Sequence, residues 1–203
     1  RGRPGPHLGR EVFDPVEGEI KIGPAKLKNL PGKLWRSKCG VVLQDGYLFS
    51  DTIANNIAVG HEIIDKARLY NAVEMACIRE FIESLPLGYN TKIGQDGIGL
   101  SEGQKQRLLI ARAIYNQPDF LLFDEATNAR DAENERMVIE NIDKFSQGRT
   151  VIVIAHRLST VKNADQIVVL DNGEIVECGV HKDLISKKGK YYHLVKDQLE
   201  LGS

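Results

Sequence analysis

The 203-residue sequence predicts an α/β fold with a mostly parallel sheet and an α-helical subdomain inserted at about residues 51–117. Three observations predict it. First, Leu100-Ser101-Glu102-Gly103-Gln104 followed by Lys105-Gln106-Arg107 reads as a helix start. Ser101 is a natural N-cap, and Gln104, three residues on, can close a capping box. Second, the short apolar runs Val41-Val42-Leu43, Phe120-Leu121-Leu122-Phe123 and Val151-Ile152-Val153-Ile154-Ala155 have the length and continuity of buried parallel strands. Third, the helical patterns cluster between the first two of these runs.

The elements follow in order. Residues 1–12 hold Pro4, Pro6, Gly2, Gly5 and Gly9 without apolar periodicity and read as irregular. Residues 13–50 begin the core. Asp14 to Gly18 is turn-like, Glu19-Ile20-Lys21-Ile22 alternates as a strand, and Gly23-Pro24 breaks it. After Trp35 to Lys38 comes the strand that ends at Gln44. Asp51 to Ile57 reads as a short helix capped by Asp51. Asp65 to Cys77 follows with an apolar face of Ala67, Leu69, Tyr70, Ala72, Val73 and Ala76, and a third short helix lies around Phe81, Ile82 and Leu85. The helix begun at Ser101 continues through the good helix formers Leu108, Leu109, Ala111, Arg112, Ala113 and Ile114, and Asn116-Gln117-Pro118 ends it. Residues 118–203 complete the core. They hold a buried strand over Phe120–Phe123, a polar helix from about Ala132 to Phe145 and a second buried strand from Thr150 to Ala155. A hairpin follows, turning at Asn172-Gly173, and then an amphipathic tail.

One domain spanning residues 1–203 is the expectation for this length, with 42% hydrophobic residues and no linker tract. The net charge of −1, with acids and bases interspersed, gives no attraction to nucleic acid or to a membrane surface. Cys39, Cys77 and Cys178 lack metal-ligand spacing and read as reduced thiols. No apolar run approaches the roughly 20 residues that a transmembrane helix requires.

Each of the three apolar strands ends in a polar side chain able to handle phosphate, metal or water: Gln44, then Asp124 with Glu125, then His156. In a parallel sheet those ends share one edge, where open α/β sheets bind their ligands. The helix beginning after Ser101 could bring its amides and positive dipole end to an anion there.

Signature, strand and paired acids at this spacing resemble the nucleotide-binding domain of an ATP-binding cassette (ABC) transporter, from about Phe13 to Gly202. Such a domain has a P-loop NTPase core. The run Asp45 to Ile57, the approach Gly94-Gln95-Asp96-Gly97 and Ala155 to Thr160 resemble exporters, most closely bacterial exporters of peptides and bacteriocins that carry a peptidase domain. The resemblance implies ATP and Mg²⁺ as cofactors. Asp124 would hold Mg²⁺ through water, and Glu125 would orient and deprotonate the attacking water. His156 would contact the γ-phosphate, and Gln44 would sense metal and water and couple them to a transmembrane partner. Ser101, Gly103 and Gln104 would face the γ-phosphate of ATP held by a second nucleotide-binding domain, with Asp131 at the dimer contact. The implied partners are an exporter's transmembrane domain and that second domain, with no nucleic acid. The implied location is the cytoplasmic side of the plasma membrane, reached through the transmembrane partner.

The sequence departs from the family at three places. The P-loop pattern Gly-x-x-x-x-Gly-Lys-Ser/Thr occurs nowhere in it, and Gly5-Pro6-His7-Leu8-Gly9-Arg10 has neither its spacing, its lysine nor its hydroxyl. The expectation is therefore an N-terminally incomplete core with weak nucleotide affinity and negligible hydrolysis. Glu102 stands where the family's signature has glycine. A carboxylate suits a helix N-terminus. Beside a phosphate, however, one unit charge about 4 Å from another costs roughly 1–4 kcal/mol. Arg130 stands between Ala129 and Asp131, where the family usually has an apolar residue. The alternative reading is a degenerate, non-hydrolysing module with a structural or regulatory pairing role. A DNA-repair ATPase sharing the signature would need long coiled-coil arms, and the chain has no heptad tract.

Overall fold

The computed structural model describes residues 15–43, 45–94, 97–124, 132–154 and 161–201, with no side chains described at 132–136 and 198–201. The expectations for residues 1–12, Gln44, Glu125, Asp131 and His156 lie outside the described residues, as do Gln95, Asp96 and Arg130. The chain divides into two compact units, Arg1–Ile152 and Val153–Ser203.

In the first unit, β1 (Lys21–Ile22) and β2 (Ala25–Lys26) form an antiparallel hairpin. Gly23, at φ 56°, makes the turn. The strand expected over Glu19–Ile22 is shortened because its partner offers only two residues before a 3₁₀ turn at Leu27–Asn29. Glu19 closes the hairpin with ion pairs to Lys21 at 2.7 Å and Lys26 at 2.6 Å.

Helix α1 (Gly32–Lys38) was not legible from periodicity, and Trp35 packs from it onto Phe120 with ring centroids 5.0 Å apart. Next come β3 (Cys39–Val42), β4 (Asp51–Thr52), α2 (Ile53–Ile57), α3 (Lys66–Met75), α4 (Arg79–Ser84) and β5 (Lys92–Ile93). They are followed by α5 (Glu102–Tyr115), β6 (Phe120–Asp124), α6 (Ala132–Ser146) and β7 (Thr150–Ile154). Helix α2 is capped by Thr52 and not by Asp51: Thr52 Oγ1 accepts the Asn55 N–H at 3.1 Å. Pairing of β4 with β5 places Asp51 opposite Ile93 and Thr52 opposite Lys92, so the helix starts one residue later than the local pattern implies.

The sheet runs β3-β6-β7, and β3 pairs with β6 in parallel, from Cys39 opposite Phe120 to Val42 opposite Phe123. Leu121 and Phe123 point into a core shared with Val42, Ile53, Ile57, Ala72, Val73 and the buried face of α5. Strand β7, expected to be buried, has Ile152 53% and Ile154 55% exposed, because it is the outer strand of this three-stranded sheet among the described residues.

The second unit holds β8 (Ile167–Asp171) and β9 (Glu174–Gly179), antiparallel, with Asp171 opposite Glu174. Both turn residues have positive φ, Asn172 at 50° and Gly173 at 83°, as a type I′ turn requires. Helices α7 (His181–Lys187) and α8 (Lys190–Leu201) cover the hairpin, burying Ile167, Val169, Leu184, Tyr191 and Val195 together. The Glu177 carboxylate accepts the N–H groups of Lys190 at 3.0 Å and Tyr191 at 2.7 Å, satisfying the start of α8.

Candidate functional site

The helix start at Ser101 forms as the sequence dictates. Ser101 is extended at φ −66°, ψ 157°, and its Oγ accepts the Gln104 N–H at 3.2 Å. The Gln104 side chain accepts the Ser101 N–H at 2.9 Å, completing the capping box. The box uses the Gln104 amide. The two amides before it, those of Glu102 and Gly103, have no intrahelical acceptor by helix geometry. Helix α5 is 14 residues long, so its dipole end is fully developed at Ser101. Ser101 and Glu102 are exposed, while Gly103 and Gln104 are half-buried. A hydroxyl and unclaimed amides at a positive helix end suit an anionic oxygen. The carboxylate on Glu102, at the first helical position, opposes one.

The other half of the predicted site begins at Asp124. It is the last residue of β6, half-buried, one position beyond the Val42–Phe123 pair. Strands β3 and β6 are parallel, and their paired stretches end together at Val42 and Phe123. Among the described residues no cluster of three or more His, Cys, Asp or Glu side chains could hold a metal ion by itself. The donor chemistry of Asp124 fits a hard cation held through water. The described residues thus bring Ser101, Gly103 and Gln104 together on one helix end and put Asp124 at a strand end.

Sequence reasoning missed a buried polar junction behind this site. From Leu108 to Tyr115 every residue of α5 is buried except Arg112. The Arg112 guanidinium donates to the carbonyls of Asn56 at 2.7 Å and Tyr47 at 2.7 Å and to Asn56 Oδ1 at 3.0 Å, and it lies 5.4 Å from the Phe49 ring centroid. Burial pushes its pKa down to about 10, which leaves it charged at neutral pH. Asn56 is 1% exposed. Its Oδ1 also accepts the Phe49 N–H at 2.8 Å, and its Nδ2 donates to the carbonyls of Phe49 and Thr52, each at 3.0 Å. The available signal was a lone arginine inside an otherwise apolar helical run.

Two tight turns frame the junction. Asp51 accepts the Asn55 side chain at 2.9 Å and the Thr52 N–H at 2.6 Å, and these donors, Asn55 first, hold its carboxyl below the usual range. Before the signature, the Gly97 Cα sits against the Lys92 carbonyl, and Ile98 N–H donates to that same carbonyl at 3.1 Å.

Comparison with known proteins bears on this arrangement. The family model for the ABC transporter matches residues 10–128, more than half of the chain. A Staphylococcus aureus protein described as a multidrug export ATP-binding/permease protein is 46% identical over 187 residues, covering 92% of this chain and 32% of that protein. An ATP-dependent lipid A-core flippase of Saccharophagus degradans is 46% identical over 186 residues, with the same coverage of 92% and 32%. The solved structure of a bacterial Atm1-family ABC exporter with ATP bound superposes with a TM-score of 0.87 at 41% identity, covering 92% of this chain and 33% of that one. The chain spans about a third of the length of these relatives.

Proposed function

The chain belongs to the ABC transporter family, and from that premise we propose that it serves as the ATP-binding domain of an exporter, working as one half of a head-to-tail pair. The observation that carries the proposal is the exposed, capped start of α5. There Ser101 is exposed, and the amides of Glu102 and Gly103, which have no intrahelical acceptor, are free of the capping box that takes the Gln104 amide, which supports their meeting a phosphate held by another domain. In this reading Ser101, Gly103 and Gln104 bind the γ-phosphate of ATP on the second nucleotide-binding domain, and Asp131 lies at the contact. Asp124 holds the Mg²⁺ of the chain's own nucleotide through water, and Gln44 senses that metal and the attacking water. Glu125 takes the water's proton, and His156 steadies the γ-phosphate. The nucleotide supplies the energy of its terminal anhydride.

The proposal assigns no residue of this chain to the α- and β-phosphates, since the P-loop pattern is not among the 203 residues. It follows that these residues alone bind Mg-ATP weakly and turn it over negligibly. The transmembrane partner is the permease portion of an exporter, which puts the domain on the cytoplasmic side of a membrane. No helix among the described residues is long and apolar enough to cross one. The finer resemblance to peptidase-containing peptide exporters is not part of the proposal. The relatives named above are described for multidrug and lipid A-core export, and the cargo is left at the level of an exported substrate.

One observation favours a second reading, a non-hydrolysing module that pairs with a competent partner. Glu102 puts a carboxylate where the partner's phosphate would lie. Calorimetric titration with Mg-ATP, alone and after mixing with a hydrolysis-competent ABC domain, tests both readings. The exporter reading expects millimolar or weaker binding alone and a nucleotide-dependent pair by light scattering, with turnover restored when a P-loop segment is supplied and Glu102 is replaced by glycine. Pairing without turnover after both repairs would leave the second reading. Micromolar binding by the chain alone would overturn the assignment of weak affinity.

A further inference from the structure

Arg112 is half-buried in a helix that is otherwise apolar at this depth, and such a charge persists only where its donors are matched. Its fork reaches two separate elements. The Asn56 carbonyl lies in the last turn of α2, where a helix leaves its carbonyls without partners, and the Tyr47 carbonyl belongs to the loop that follows β3. The third donor meets Asn56 Oδ1, the same oxygen that holds the Phe49 N–H. The backbone of residues 47–52 is therefore tied to α5 through one guanidinium and one amide. Leu48 turns inward to the core, while Tyr47 and Phe49 face outward, 64% and 48% exposed, edge to face at 5.5 Å.

We propose that Arg112 is a positioning residue that locks the segment following Gln44, with its exposed Tyr47–Phe49 pair, to the helix that begins at Ser101, so that the two move as one body. This rests on the reading of Gln44 as facing the chain's own nucleotide and of Ser101 as facing the nucleotide of the second domain, so that the lock links the chain's two nucleotide contacts. Arginine is required rather than any cation, because a lysine ammonium is a single point and cannot span the Tyr47 carbonyl, the Asn56 carbonyl and Asn56 Oδ1 together. A purely structural role would spread its loss over the whole core. A positioning role concentrates the loss in residues 47–52.

The test is amide hydrogen exchange on the nucleotide-free chain, comparing the parent with Arg112→Lys. The Phe49 amide is the reporter, since its acceptor is held in place by Arg112. Leu69 and Ala76, whose amides bond within the α3 region, are the controls. Expected is a rise of about tenfold or more in Phe49 exchange, the size of one lost charge-assisted bond, with the controls and the urea midpoint nearly unchanged. Unchanged Phe49 exchange, or an equal rise at all three amides with a lowered midpoint, would overturn the proposal. Asn56→Asp provides a second variant should Arg112→Lys fail to fold. It keeps the acceptor for Arg112 but loses the donors to Phe49 and Thr52, and it should loosen the same segment. Because no nucleotide is present, failure here leaves the exporter reading standing, and failure of the Mg-ATP titration leaves the exchange result intact.

Discussion

Replacing Glu102 with glycine restores the family's signature but should weaken the fold. Glu102 is the first residue of α5 and is exposed, so two small terms are lost. Glycine in a helix costs about 0.5–1 kcal/mol relative to a good helix former, toward the low end at the first position. A carboxylate at the helix start contributes about 0.3–1 kcal/mol through the dipole. Together they predict a loss of about 1 kcal/mol, or about 2–4 °C in Tm for a chain of this size. The capping box persists, because it needs only Ser101 and Gln104. Urea denaturation should show a lower midpoint with the slope unchanged. The same variant should bind Mg-ATP more tightly at the Ser101 end when paired with a competent domain, by about fivefold or more, since even 1 kcal/mol of removed repulsion gives that factor. A variant as stable as the parent would refute the helix-start argument, and unchanged affinity in the pair would refute the electrostatic one.

Three further outcomes are expected. Gly97→Ala would push a methyl into the Lys92 carbonyl and its carbon, which are backbone and cannot swing aside, so urea denaturation should show a loss of about 1–3 kcal/mol; Gly99→Ala, with no heavy atom within 4 Å of the added carbon, is the near-neutral control. Alkylation followed by mass spectrometry should modify exposed Cys178 before Cys39 and Cys77, because burial pushes those two thiols up, an effect that at Cys77 outweighs the opposing hydrogen bond its Sγ accepts from Asn141 Nδ2 at 3.3 Å; earlier modification of Cys77 would contradict this. The Glu19 carboxyl is held below its usual 4.5 by Lys21 and then Lys26, so its contribution to the β1–β2 hairpin is complete above that value and is lost as pH falls through the lowered one; NMR titration should show the lowered value, and added salt should move it back.

What was legible in the sequence was what is decided locally. Ser101 and Gln104 satisfy each other within one turn, and Asn172-Gly173 makes its own I′ turn, so neither depended on distant chain. Asp124 at the end of an apolar run was likewise readable, because the run is a strand in its own right. The misreadings have non-local causes. Asp51 was displaced as a cap because β5, far later in the chain, claims it for a sheet. Helix α1 carries no apolar period, and its Trp35 is held by Phe120 from another element. The Arg112–Asn56 junction joins residues 56 positions apart, and no spacing rule reaches that far.

The two ends of α5 answer to different constraints, and this bears on how Glu102 is to be read. At the C-terminal half, the apolar residues between Leu108 and Tyr115 are packed into the core with α2, α3 and β3, so almost any change among them disturbs it. At the N-terminal end the helix is exposed, and stability asks only for a cap and tolerates or welcomes an acid. The fold therefore exerts no pressure against Glu102, and its presence is no sign of a decaying structure. Only a phosphate arriving at that end discriminates against a carboxylate there. Whether Glu102 marks a module that has given up its share of the composite site, or one that carries it at reduced affinity, is thus decided by the nucleotide-dependent pairing of the parent chain and its Glu102→Gly variant and not by their relative stability.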